Sequence, residues 1–179
     1  MAGRFCGQSD PELNDRGRQQ LAGLANMLSD LPIDRVYTSD LRRARQTAEA
    51  IAEHLCARLH VRPGLREIHF GRWETLSWNE IEDRDPALAR GWAQEYPKST
   101  APGGESFRQF ELRVLGEIAF LLAEAKKSPI AAVTHAGFVR VVLTNWCRMP
   151  EQEAWDRTKE YGSIVTLDSD LIRREGRRR

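Results

Sequence analysis

Apolar positions along this chain alternate between two spacings. Leu21, Leu24, Ala25 and Leu28 recur three and four residues apart, which predicts a helix beginning near Arg18. The run DRVYTS then predicts a buried strand ending at Thr38 or Ser39. From Asp40 the helical spacing returns, with Ala44, Thr47, Ala48, Ile51 and Leu55 on one face. VRPGLREIHFGRW carries Pro and Gly and reads as extended segments and loop. Asn79 to Tyr96 looks helical but is broken at Pro86. APGGES closes onto a helix starting near Glu105 or Ser106, whose stripe is Phe107, Phe110, Val114, Ile118, Leu121 and Leu122. SPIAAVTH follows as a continuous apolar strand, GFVRVVLTNWC as a short helix, and GSIVTLDSD as a last strand.

Helices alternating with short buried strands predict an α/β fold with a mostly parallel sheet. Residues 1–170 read as a single domain, with no repeat, low-complexity tract or linker dividing them. The remaining 171–179 form a basic tail, read as a disordered, solvated terminus rather than a nucleic-acid contact. A chain of 179 residues buries about 70% of its unfolded surface, enough for a sizeable core.

Composition changes this picture little. The net charge of +1 gives no general attraction to nucleic acid or an anionic membrane. No apolar run reaches the roughly 18 to 20 residues that cross a bilayer, and the N-terminus lacks the apolar core of a signal peptide. Cys6, Cys56 and Cys147 are odd in number and show no metal-ligand spacing, which points to reduced thiols in a cytoplasmic protein and to no metal site. Partners in the nucleic-acid and membrane classes are not expected; a homodimer is left open.

In an α/β fold, ligands collect beyond the carboxyl ends of the strands, where helix N-termini present free N–H groups to anions. YTSDLRRARQTA delivers Ser39, Arg42 and Arg43 to one such strand end, and VTHAGFVR delivers His135 to another. Each has a bland alternative: a structural histidine, a solvated arginine face, and for Glu67 in LREIHFG one surface carboxylate among many. Guanidinium and imidazole groups converging on a helix N-terminus are what a phosphate pocket requires.

Order adds to this. GRFCGQSDPELNDRGRQQ, VYTSDLRRARQTAEAIA, LREIHFGRWE, PGGESF and VTHAGFVR follow one another along the chain. The series closely resembles the histidine phosphatase family, also called phosphoglycerate-mutase-like, to about Asp168. The resemblance implies a three-layer α/β/α sandwich and phosphoryl transfer without metal or other cofactor. A histidine attacks phosphorus, water hydrolyses the phosphohistidine, arginines and a second histidine hold the phosphoryl oxygens, and a glutamic acid protonates the leaving oxygen. Carried over by motif, Arg43 is the pocket arginine, His135 the second, phosphate-binding and catalytic histidine, and Glu67 the acid/base. Arg4, Phe5, Ser9 and Asp10 fall in the loop that borders substrate. Ala136 stands where glycine is commonest, and WETLSW replaces the usual Trp-Glu-Gly.

The nucleophile is absent. The family opens on an apolar strand ending in Arg-His-Gly, and this sequence has no such tripeptide; His54, His60 and His69 lie in other contexts. Either Met1 is an internal methionine and a further strand precedes it, or the chain is a non-catalytic relative. The first is favoured, because losing a strand inside the sheet leaves backbone groups unpaired and an apolar face bare. The family's mutases carry additional segments that this chain lacks, which favours the short phosphatase branch over a phosphoglycerate mutase. HFGRWE, PGGESF and RMPEQEAWDRTKEYGSIVTLD resemble alpha-ribazole phosphatases of cobalamin synthesis. The expected function is therefore hydrolysis of a small phosphorylated metabolite, alpha-ribazole 5'-phosphate being one candidate; the alternative is a pseudophosphatase that binds such a ligand without turnover.

Overall fold

Three short parallel strands carry the architecture. They are β1 (Arg35–Thr38), β2 (Arg58–Val61) and β3 (Ile130–Val133), in the order β2-β1-β3. The structure, a computed structural model, describes residues 3–95 and 99–167. Register is regular: Val36 lies opposite Leu59 on one side and Ala131 on the other. Among the described residues neither β2 nor β3 has a ladder partner on its outer side.

The central strand is buried throughout, and its alternation builds two cores. Val36 packs on one face with Ala25 of α1 (Asp15–Met27) and with Ala48, Ile51 and Ala52 of α2 (Arg42–His54). Tyr37 packs on the other with Phe110, Val114, Ile118 and Leu121 of α5 (Phe107–Ala125) and with Phe138 and Val141 of α6 (Ala136–Val141). Period-two side chains on β1 thus meet helices above and below, giving the α/β/α layering expected from the sequence. A third cluster, Trp73, Ile81, Ala89 and Ala101, joins α3 (Trp78–Arg84) and α4 (Pro86–Glu95) to the loops beside them.

Local chemistry sets the helix limits. Asn14 accepts a hydrogen bond from the Gly17 amide at 2.8 Å and starts α1 at Asp15, ahead of its apolar stripe. Pro86 opens α4 where a missing N–H costs nothing, so the expected break is a boundary between two helices. Ser106 and Gln109 form a reciprocal capping box that starts α5. α6 begins at Ala136 and runs into a π-helical turn over Val142–Trp146.

Three elements differ from the sequence reading. β2 is a strand although RLHV shows no apolar run, because most of this edge strand is exposed. α7 (Glu151–Thr158) was not expected, since only Ala154 and Thr158 of its residues are buried. The last strand is not formed over residues 162–167: among the described residues those positions join no ladder, and none pairs with the outer side of β3. Its remaining positions, 168–170, and the basic tail 171–179 lie outside the described residues.

Candidate active site

Two neighbouring strand ends place the first pair of groups. Ser39 follows β1 and its amide bonds to the Val133 carbonyl at 3.3 Å, continuing the ladder one residue past the strand. His135 lies two residues beyond β3 and is the N-cap of α6, but its ring makes no capping bond. Instead Nε2 lies 2.8 Å from the Ser39 hydroxyl, with Ser39 fully buried and His135 9% exposed. Burial pushes the imidazole down to about 3, with the Arg43 and Arg113 charges adding to the effect and Asp40 opposing it. At neutral pH the ring is uncharged.

Glu67 occupies the amide end of α6 that His135 leaves unused. Its Oε2 accepts from the Gly137 N–H at 2.9 Å and its Oε1 from its neighbour's N–H, Ile68, also at 2.9 Å. A Cβ at position 137 would fall 2.2 Å from Oε1, so glycine is what lets the carboxyl reach the helix. Desolvation pushes this carboxyl above its ordinary value. The two amide bonds and the charges of Arg43 and Arg140 pull the other way without prevailing. A carboxyl of raised pKa, beside a neutral imidazole and within the field of guanidinium groups, is suited to giving up a proton to a leaving oxygen.

Arg43, the second residue of α2, completes the set. Its terminal nitrogens donate to the carbonyls of Ser9 and Gly7, each at 2.7 Å. Gly7 permits this with φ at +43°; a Cβ there would meet Glu74 Oε1 at 2.5 Å. Arg43 acts electrostatically on both Glu67 and His135, so the three motif residues converge on one region.

The loop residues expected to border substrate have structural partners. Arg4 donates to Glu80 at 2.6 Å and to the Thr75 carbonyl at 2.7 Å. Phe5 packs edge-on against Phe70, with ring centroids 4.9 Å apart, and also faces Trp92. Ser9 donates from its hydroxyl to the Cys6 carbonyl, while its own carbonyl receives Arg43. Asp10 accepts the Arg42 amide at 2.5 Å and so caps α2, whose N-cap Leu41 has no side chain able to do so. The loop is thereby fastened to the α2 N-terminus and to the third core.

Two residues near the site were not singled out from sequence. Arg113 of α5 donates to the carbonyls of Gly64 and Arg66, each at 2.8 Å, and of Glu67 at 3.2 Å, while pairing with Glu105 at 2.7 Å. It clamps the loop that carries Glu67. Arg66 pairs through two nitrogens with Asp40 and reaches Gln8 at 3.2 Å. Neither leaves a sequence signal beyond being one arginine among many. The other histidines have their own surroundings: His54 bonds Ser29 at 2.9 Å, His60 stacks on Tyr37 at 5.0 Å, and His69 lies 3.6 Å from Glu74.

The chain has relatives among known proteins. The chain is 29% identical to the adenosylcobalamin/alpha-ribazole phosphatase of Salmonella typhimurium, over 94% of this chain and 83% of that protein. It is 32% identical to the metal-independent phosphoserine phosphatase of Arabidopsis thaliana, over 79% of this chain and 60% of that one. The crystal structure of the alpha-ribazole phosphatase from Shigella flexneri superposes with a TM-score of 0.80 at 28% identity, covering 89% of this chain and 79% of that chain. Residues 1–176 match the family described as the histidine phosphatase superfamily (branch 1), and the chain belongs to that superfamily.

Proposed function

We propose that this chain supplies the phosphate-holding and proton-donating groups of a phosphatase of small phosphorylated metabolites, one that works without a metal through a phosphohistidine that water then hydrolyses. The observation that carries the reading is the Glu67 carboxyl, raised in pKa and held on the α6 amide beside His135. In this reading Arg43 and His135 hold the phosphoryl oxygens, and Glu67 protonates the leaving oxygen. Fixed donors aimed at a spread negative charge stabilise the transition state more than the ground state. The names of relatives, two of them alpha-ribazole phosphatases and one a metal-independent phosphoserine phosphatase, support the reaction class. Among substrates, alpha-ribazole 5'-phosphate is favoured by likeness that extends over most of the length of its enzymes.

A second reading rests on a specific observation. The sequence contains no Arg-His-Gly, and its three other histidines sit against Ser29, Tyr37 and Glu74. On that reading the site binds a phosphorylated ligand without turnover.

One pair of measurements separates them. Titration calorimetry on the 179-residue chain with inorganic phosphate is expected to show binding, weakened about tenfold or more by Arg43→Ala. Protein extended ahead of Gly3 by an apolar strand ending in Arg-His-Gly is expected to hydrolyse an aryl phosphate in excess chelator, with acid-labile phosphate on the protein. Phosphate binding without hydrolysis by the extended protein would establish the binding-only reading. Full loss of turnover on chelation would overturn the metal-free mechanism.

A further inference from the structure

Ser39 has a single proton on its hydroxyl and is inaccessible to water, so that proton must be donated within the protein. Among the described residues, the acceptor at bonding distance is Nε2 of His135, 2.8 Å away. A neutral imidazole has one nitrogen that donates and one that accepts. If Nε2 accepts from Ser39, the ring proton is on Nδ1. The ring also makes no bond to the α6 amides, one of which is already taken by Glu67. An Nδ1–H is a donor, as those amides are, so the helix end cannot engage it.

We propose that Ser39 is a positioning residue for His135: its hydroxyl donates to Nε2, locks the imidazole in the Nδ1–H tautomer, and presents that N–H as a neutral donor to a phosphoryl oxygen. The placement is rigid, because the Ser39 amide is tied to Val133 across the β1–β3 ladder rather than carried on a loop. Positive charge for the oxyanion then comes from Arg43, and the histidine supplies direction without charge. Such a division suits a site whose guanidinium groups already disfavour a second cation on the ring.

The role in phosphate binding rests on the function proposed above; the tautomer does not, and is measured without ligand. Two-bond nitrogen–proton spectra of the ¹⁵N-histidine-labelled full chain distinguish the two ring nitrogens, with His135→Gln used only to assign the signal. A pyridine-type Nε2 and pyrrole-type Nδ1 at His135 is the expected result; the reverse assignment overturns the proposal. Ser39→Ala should release the ring to the Nε2–H form that free imidazole side chains prefer and weaken inorganic phosphate binding about tenfold. Ser39→Thr, which keeps the hydroxyl, should restore both. An unchanged tautomer in a folded Ser39→Ala protein overturns the proposal, and if that variant does not fold the wild-type spectrum decides alone. If wild-type protein shows the expected tautomer but binds no phosphate, the functional reading fails and the Ser39–His135 lock stands.

Discussion

Glu67 joins its chemistry to the stability of the fold. Its carboxyl is raised above 4.5 by burial. The stability linked to it is therefore complete below pH 4.5 and is lost as pH rises through the raised value, since the unfolded chain releases that proton first. His135 runs the opposite way: lowered from 6.5 to about 3, its contribution is complete above pH 6.5 and is lost as pH falls toward 3. Glu67→Gln removes the first term alone. Thermal melts across pH should show the variant gaining on wild type from about pH 4.5 upward, in line with the linkage sign. In the strand-extended protein the same substitution should lower turnover about a hundredfold or more for an alkyl phosphate and less for an aryl phosphate. Equal losses for both leaving groups would remove Glu67 from the acid role.

At the scale of elements, the sequence was readable where burial is continuous or strictly periodic. β1 is wholly buried and the stripes of α2 and α5 bury most of their apolar residues, while β3 keeps a continuous apolar run though it is only half-buried; continuity located the strands and period the helices. β2 and α7 expose most of their side chains, so neither leaves a periodic trace, and their places follow from ladder pairing and packing by distant segments. Within the site, Arg43, Glu67 and His135 stand out in sequence because each lies in a short motif, Arg43 and His135 just after strand ends and Glu67 in the loop that follows β2. Arg113 does not, since its function is to grip three carbonyls that only the folded loop presents. Asp10 has a structural part that its position in the sequence does not announce. It caps α2 from 32 positions away, and Asp10→Ala should destabilise the protein by about 1 kcal/mol, with Asp10→Asn recovering most of that. Denaturant midpoints of the two variants test this; equal losses would mean the cap bond contributes nothing.

Taken as a whole, the molecule gathers its polar chemistry at one end of a three-stranded sheet. The carboxyl ends of β1 and β3 supply Ser39 and His135, α2 supplies Arg43, and the loop clamped by α5 supplies Glu67. No helix among the described residues is long and apolar enough to cross a membrane. The Arg43 guanidinium, fastened to the Gly7 and Ser9 carbonyls, has one more consequence. The residue read as the grip on phosphate is also the residue that ties down the entry loop, so ligand affinity and loop order are two measures of a single free energy. Amide hydrogen exchange across residues 7–10 should slow when inorganic phosphate binds, and Arg43→Ala should abolish that protection even at phosphate concentrations high enough to restore occupancy. Rigidity of the loop then reports occupancy of the site, and a substitution that merely loosens the loop will weaken binding without touching the ligand.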